Sequence, residues 1–580
     1  MTLPHQARGR RIGTWALWGV AAAVPLTFLA VFFAYPVLSL VGRGFFPDGV
    51  TGGVDLGGFA DVFSRSRTWR VIRQTLAQAF LGTVGALALG LPGAYVLYRC
   101  RFRGQRFVRG LVSVPFVLPS VVVGAAFRAL LGEGGPLGFL GLDRTMAAIV
   151  LALMFFNYTV VVRTVGGLWA RLDPRTEQAA RALGASPARA FFTVTLPALG
   201  PAIASAASVV FLFCATAFGI VITLGGIRYG TIESEIYLQT VQFLDLRAAA
   251  VLSVVQVVVV ALALAVAAAS RKRQERALSL RTEAAAPLRL LNRDRGPASG
   301  TGRRRLPRLG PDLVPAVVTA GTVIGLIATP ILTLVGRSFQ EPDGSWGLQN
   351  YRNLADPGST RALNVSVMEA AGNSLRTAVD ATLIAVVVGT LVAVLLSRRP
   401  RGLLGRRSLG LLDAAFMLPL GVSAVTVGFG ILISLNHPPL DLRSSPILVP
   451  IAQAVVATPL VVRTLLPVLR AIDPRLREVA ATLGASPGRV LATVDGPFLV
   501  RGWGLAVGFA FAVSLGEFGA TSFLSRPDHL TLPVVIYRLL GRPGAENYGM
   551  AMAAAVILAA LTATAIGLAE RLRTKEATGW

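Results

Sequence analysis

Asp173-Pro174-Arg175-Thr176-Glu177-Gln178-Ala179-Ala180-Arg181-Ala182-Leu183-Gly184-Ala185-Ser186-Pro187 returns three hundred residues later as Asp473-Pro474-Arg475-Leu476-Arg477-Glu478-Val479-Ala480-Ala481-Thr482-Leu483-Gly484-Ala485-Ser486-Pro487. At that constant offset, eighteen of forty positions are identical between 160–199 and 460–499, among them Arg163 with Arg463 and Pro197 with Pro497. The offset also pairs Leu118-Pro119 with Leu418-Pro419 and Phe218-Gly219 with Phe518-Gly519, so the chain consists of two copies of one unit. The quoted stretch is not the most apolar part of either copy, and packing against lipid does not explain its repetition. Its residues specify a local structure instead. Asp173 caps a helix that has Pro174 at its first position, Gly184 supplies the left-handed residue that ends it, and Ser186-Pro187 opens the next helix.

Outward from these loops the sequence is apolar. Of 580 residues 54% are hydrophobic and 15% charged, which is outside the range of soluble globular domains. Runs long enough to cross a hydrocarbon core of about 30 Å lie near 15–41, 75–98, 108–131, 146–169, 198–225 and 247–269. A second set lies near 312–336, 375–397, 409–434, 446–469, 501–524 and 548–569. The predicted fold is an all-α integral membrane protein of about twelve transmembrane helices in two parallel six-helix repeats, occupying 1–270 and 311–580. An even number of spans per repeat makes the copies parallel, related by an axis along the membrane normal, with a pathway between them. The connecting segment 271–310 has twelve Lys or Arg against three Asp or Glu, together with Gly and Pro, and reads as a basic cytoplasmic linker without a fixed fold.

The net charge of +27 is nearly all arginine placed between apolar runs. That pattern flanks membrane spans and is not a nucleic-acid surface, since no basic module with interleaved aromatics accompanies it. Arg99, Arg101, Arg103, Arg106, the linker, Arg398, Arg399, Arg401, Arg406, Arg407 and the tail Arg571, Arg573, Lys575 fall on one side. The expectation is a multi-pass plasma (cytoplasmic) membrane protein with both termini in the cytoplasm. The run from Trp15 to Leu40 is too long for a cleaved leader and reads as the first span. Cys100 and Cys214 lie in or beside apolar stretches, and neither a disulfide framework nor a metal cluster is expected.

The repeated loop resembles that of the permeases of binding-protein-dependent ABC importers, which reads Glu-Ala-Ala, three residues, Gly, nine residues, an aliphatic residue, one residue, Leu-Pro. The first copy has Gln178, Ala179, Ala180, Gly184, Val194, Leu196 and Pro197, with Gln178 for the usual Glu although Glu177 stands beside it. The second has Glu478, Val479, Ala480, Gly484, Val494, Gly496 and Pro497. The resemblance implies that each loop is a coupling helix seated in a groove of a cytoplasmic ATPase. Two loops in one chain then imply a fused permease pair served by two ATPase copies and an extracytoplasmic solute-binding protein. The segments Thr231–Tyr237 and Phe243–Ala249, and Ser514–Thr521 with Thr531-Leu532-Pro533 and Ile536-Tyr537 after it, look like those of the fused permeases for ferric iron and thiamine. The reading favours ferric iron, with thiamine as the alternative and molybdate, sulfate or polyamine as further ones. An ion-gradient-driven secondary transporter is the rival class.

No enzymatic site is expected in this chain. A phosphate-binding loop needs its Gly-Lys-Ser or Gly-Lys-Thr ending, and the two lysines, Lys272 and Lys575, stand in other contexts. ATP and Mg²⁺ therefore belong to the partner ATPase, and this chain carries no cofactor of its own. His5, His437 and His529 are far apart in sequence, which argues against a catalytic or metal-binding cluster. Ionisable residues inside spans are functional candidates by default. Glu517 is the foremost, read as lying in the fifth span of the second repeat where the first repeat has Ala217, with Asn157 and Tyr158 as weaker candidates for the translocation pathway.

Overall fold

The computed structural model describes residues 19, 21–46, 53–226, 228–274, 288–289, 312–355, 363–398, 403–436, 441–442 and 445–577. Lipid offers backbone groups no partners, so each crossing must close its own hydrogen bonds. Ten described helices are long and apolar enough to cross a membrane, and two further helix pairs are so only when taken together across a sharp bend, which makes up to twelve. The first repeat has straight crossings at Ala21–Phe45, Ser66–Tyr98, Met146–Trp169, Pro187–Ala215 and Leu246–Ala265. Those of the second are Leu313–Phe339, Val367–Leu396, Leu448–Ala471, Pro487–Gly516 and Ala545–Arg571.

The third crossing of each repeat, expected as one span over 108–131 or 409–434, is broken. Gln105–Val117 meets Ser120–Leu131 at 107°, and Arg407–Pro419 meets Ala424–Ser434 at 93°. In the first repeat Pro119 forces Leu118 into extended backbone (ψ 134°), since a residue before proline avoids the helical region. In the second the helix continues past Pro419 to Gly421 and breaks at Ser423, whose extended backbone and hydroxyl, accepting from the Val425 N–H at 3.0 Å, start the next helix. The fifth crossings also depart from expectation: they begin earlier, at Pro187 and Pro487, and end at Ala215 and Gly516. Each passes through a π-helical turn, Phe191–Thr195 or Leu491–Asp495, just after its start.

Short helices fill the gap between the fifth and sixth crossings: Gly219–Leu224 and Ile232–Val241 in one repeat, Thr521–Leu524 and Leu532–Leu540 in the other. The helix at 232 is anchored by its first N–H to the Thr75 hydroxyl (3.0 Å) and that at 532 to Ser374 (2.7 Å), both on second crossings. The first crossings pack across the repeats. Tyr35–Phe45 lies against Ala424–Ser434, and Thr329–Phe339 against Ser120–Leu131. Gly430 permits the first contact, because a Cβ there would meet the Pro36 carbonyl oxygen at 2.9 Å. Of the linker, only 271–274, which extend the sixth helix, and 288–289, which pair in parallel with Cys100–Arg101, are among the described residues; the rest lies outside them.

Candidate functional site

The repeated loops fold as their residues dictate. Asp173 accepts from the Arg175 N–H at 3.0 Å and Asp473 from Arg475 at 2.9 Å, starting helices Pro174–Ala182 and Pro474–Thr482. Both helices close with the same pair of bonds. The Ala185 N–H reaches the Ala180 carbonyl and that of Gly184 reaches Arg181, while Ala485 reaches Ala480 and Gly484 reaches Ala481, all at 3.0–3.1 Å. This double closure requires a left-handed residue, and Gly184 and Gly484 have φ of +90° and +82°. Ser186 and Ser486 cap the following turns through the N–H groups of Arg189 and Arg489. Gln178, Ala179, Glu478 and Val479 are exposed, Ala180 and Ala480 half-buried. Leu183 and Leu483 project with 90% and 82% of their surface free. Each of the two identically capped loops thus presents one exposed leucine at its tip. Pro197 and Pro497 stand inside the first turns of Leu196–Ala215 and Gly496–Gly516 and fix where those helices resume after the π-turns.

The second candidate region lies between the repeats at the breaks. A cavity of about 310 Å³ is walled by Phe116, Pro119, Phe156, Phe213, Phe218, Ser423, Phe509, Glu517 and Phe518. Phe218 and Phe518, equivalent at the constant offset, stack on one another with centroids 5.2 Å apart and planes 15° apart. Tyr237 backs Phe218 and Tyr537 backs Phe518, each at 5.4 Å, and the two tyrosines meet edge to face at 6.3 Å. The four rings make a two-fold-related cluster where the repeats meet, and offset or edge-on pairing of this kind contributes about 0.5–1.5 kcal/mol per pair beyond burial.

Two carboxylates lie at this level, and each is held by the protein. Glu517 is not inside the fifth helix, as the sequence reading placed it, but in the break just after it, with extended backbone. Its carboxylate accepts from the N–H groups of Ala520 (2.8 Å) and Thr521 (3.0 Å) and from the Thr521 hydroxyl (2.6 Å), which also accepts from Gln453 at 3.1 Å. Glu517 therefore caps the short helix Thr521–Leu524 and shows the cavity only an edge, with 7% of its surface exposed. Glu233 is fully buried and accepts from Gln256 Nε2 (2.8 Å) and from the Ser423 hydroxyl of the other repeat (2.6 Å). Glu233 thus leans on the break of the second repeat through Ser423, and Gly519 lies between that break and Glu517, since a Cβ built there would be 3.0 Å from Ala424 Cβ and 3.3 Å from Glu517 Oε1.

Asn157 and Tyr158 do not line the cavity; their neighbour Phe156 does. Asn157 is buried and donates to the Leu153 carbonyl (2.9 Å) and to Cys214 Sγ (3.4 Å). Tyr158 presses on Gly93, where an added Cβ would sit 2.1 Å from its hydroxyl oxygen. Both belong to the packing of the fourth crossing against the second and fifth. Arg163 and Arg463 are exposed within their helices, six residues before Trp169 and eight before Ala471. Sequence reasoning missed Glu233 because it lies between the expected spans 198–225 and 247–269, outside the reach of the rule for ionisable residues within spans that singled out Glu517.

Residues 82–279 match the family described as binding-protein-dependent transport system inner membrane component. Over 97% of both chains the protein is 26% identical to the thiamine transport system permease protein ThiP of Brucella suis. It is 35% identical to the molybdenum transport system permease protein ModB of Azotobacter vinelandii, over 27% of this chain and 72% of that one. With the sulfate transport system permease protein CysT of Salmonella typhimurium it shares 33% identity over 29% of this chain and 62% of that one. Among solved structures, a bacterial ABC transporter that imports alginate matches 47% of this chain and 100% of its own, at 17% identity and a TM-score of 0.39.

Proposed function

We propose that this chain, which belongs to the family of binding-protein-dependent transport system inner membrane components and is thereby a permease of an ABC importer, forms the pathway for thiamine. The observation that carries the choice of solute is the match to the thiamine permease along 97% of both chains, because it includes both repeats, whereas the molybdenum and sulfate permeases match 27–39% of this chain. The cavity is consistent with it. Fe³⁺ is a hard cation that calls for several oxygen or nitrogen ligands. The walls are mainly apolar, with six phenylalanines among them, and the Glu517 carboxylate is already occupied as a helix cap. Aromatic walls instead suit a flat, cationic heteroaromatic solute, which gains stacking and cation–π contacts. This reverses the preference for ferric iron drawn from the sequence.

In the proposed mechanism an extracytoplasmic binding protein delivers solute to the outer face. Two copies of a cytoplasmic ATPase, which bind ATP and Mg²⁺, hold the loops around Gly184 and Gly484 through Leu183, Leu483 and the exposed faces of Gln178, Ala179, Glu478 and Val479. Ala180 and Ala480 contribute the carbonyls that close the loops, and Pro197 and Pro497 relay loop motion into the fifth crossings. Closure of the ATPases draws the loops together and rocks one repeat against the other, so that the plug of Phe218 and Phe518 opens. The chain itself is non-catalytic, with repeats 1–270 and 311–580 joined by the linker and both termini cytoplasmic. The test is to isolate the protein gently from its native membrane and analyse the ligand of the co-purifying binding protein. Thiamine is the expected ligand. Iron overturns the choice of solute, and the absence of any ATPase under mild conditions overturns the assignment of the loops.

A further inference from the structure

Within the forty matched positions, two that differ between the repeats touch each other. Glu177 and Arg477 are equivalent, as are Thr195 and Asp495. In the first repeat the Thr195 hydroxyl donates to the Glu177 carboxylate at 3.1 Å. In the second, Asp495 is fully buried and takes Arg477 Nε on Oδ1 and Arg398 Nη2 on Oδ2, each at 2.7 Å. Arg477 also donates through Nη2 to the Leu469 carbonyl at 3.0 Å. One carboxylate thus joins four elements. Arg477 lies on the loop helix Pro474–Thr482, Leu469 near the end of the fourth crossing, Arg398 just past the second, and Asp495 in the π-turn of the fifth. The first repeat has Tyr98 where the second has Arg398, and its ring lies under the Arg109 guanidinium at 4.8 Å.

We propose that Asp495 is a positioning residue that makes the second loop the stiffer of two unequal levers. Two charge-assisted bonds on one buried carboxylate hold their partners more firmly than a hydroxyl–carboxylate bond at a half-buried site. A displacement of the loop helix Pro474–Thr482 is therefore delivered to the ends of the second, fourth and fifth crossings together. A displacement of Pro174–Ala182 reaches the fifth crossing through the Thr195–Glu177 bond and is partly lost. The two ATPase copies are then unequal in effect although the loop tips they meet are alike. The inference rests on the assignment of these loops as the ATPase contacts.

The test uses the complete complex of permease, ATPase and binding protein in proteoliposomes, and reads ATP turnover with and without solute-loaded binding protein, solute moved per ATP, and the apparent KM for ATP. Asp495→Asn is expected to retain the ATPase on purification and to keep its KM for ATP. Stimulation and solute per ATP fall about tenfold, the range over which residues along a coupling network act. Thr195→Val is expected to change both less than about twofold. Asp495→Glu, which keeps the charge, is expected to recover most of the loss. Where Asp495→Asn does not accumulate, the double variant Arg477→Glu with Asp495→Thr copies the contact already stable in the first repeat, and it is expected to lower stimulation several-fold. Equal losses for Thr195→Val and Asp495→Asn, or wild-type stimulation in the double variant, overturn the proposal. If the unmodified chain retains no ATPase, it is the underlying loop assignment that fails.

Discussion

Replacing Gly184 and Gly484 by valine isolates the left-handed turn from every other feature of the loops. A Cβ at either position meets nothing within 4 Å, so the substitution introduces no clash and acts through backbone conformation alone. At φ of +90° and +82° an L residue places its Cβ against the following carbonyl, at a cost of about 1–2 kcal/mol per site, with a β-branched residue at the upper end. Releasing that strain means giving up the two closing bonds made by Gly184 and Ala185, or by Gly484 and Ala485, and turning Leu183 or Leu483 away from its present direction. Over both loops the penalty is about 2–4 kcal/mol. Since about 1.4 kcal/mol is a factor of ten, the population of correctly presented loop pairs falls at least tenfold. The assay is ATPase co-purification together with solute uptake by proteoliposomes. Gly184→Val with Gly484→Val is expected to lose both, whereas Gly184→Asn with Gly484→Asn retains most of each, because asparagine tolerates this region. Normal uptake in the valine pair refutes the reasoning.

Four further substitutions probe the central region and its surroundings. Phe218→Ala takes one ring from the stacked pair, and reconstituted vesicles are expected to leak solute down its gradient without ATP; vesicles as tight as wild type would show that the plug lies elsewhere. Glu517→Gln keeps the size of the cap but exchanges one acceptor oxygen for a donor, so the thermal midpoint should drop by the equivalent of about 1–2 kcal/mol while the KM for solute stays put. A large KM change with an unchanged midpoint would make Glu517 a solute contact instead. Ser423→Ala deprives the Glu233 carboxylate of a donor from the opposite repeat and should cost about 1.5–3 kcal/mol, read by thermal unfolding in detergent. Tyr158→Phe removes a buried hydroxyl without a hydrogen-bond partner among the described residues, so stability and uptake should both survive, and a loss of uptake would restore Tyr158 to the pathway.

What could be read from the sequence divides according to how local its cause is. The loop geometry was legible because an Asp cap, a Pro at the first helical position and a Gly in the left-handed region each act within four residues. The spans were legible because lipid demands length and apolarity, which composition records. The broken third crossings were not, since a Leu-Pro pair inside an apolar run suits a kinked helix as well as a sharp turn. The second repeat shows how little the pair decides, because its helix runs through Pro419 and breaks at Ser423. Asn157 and Tyr158 were singled out from polarity alone, which does not say which way a helix turns them. On a helix successive residues diverge by about 100°, and it is Phe156 that the fourth crossing turns to the cavity. Asp495 escaped notice because the repeat was read for identities, while its meaning lies in two differences that compensate one another in space.

The same contrast runs through the centre of the molecule. The rings that meet between the repeats occur in equivalent pairs, Phe218 with Phe518 and Tyr237 with Tyr537. The polar groups around them do not. Glu233 has Pro533 as its counterpart, Gln256 has Val556, Ser423 has Val123, Glu517 has Ala217, and Thr521 has Val221. Two identical subunits related by a two-fold axis would carry each buried carboxylate twice, doubling the desolvation burden beside the plug. A fused chain carries each once, and it supplies the partners of Glu233 from both repeats. The Glu233–Ser423 bond joins the short helix Ile232–Val241 of one repeat to the helix break of the other. Any rocking that parts the repeats at this level must either carry these two elements together or strip a buried carboxylate of a donor. Under the proposed rocking the less costly course is the first, in which Ser423 and its helix break move with the first repeat.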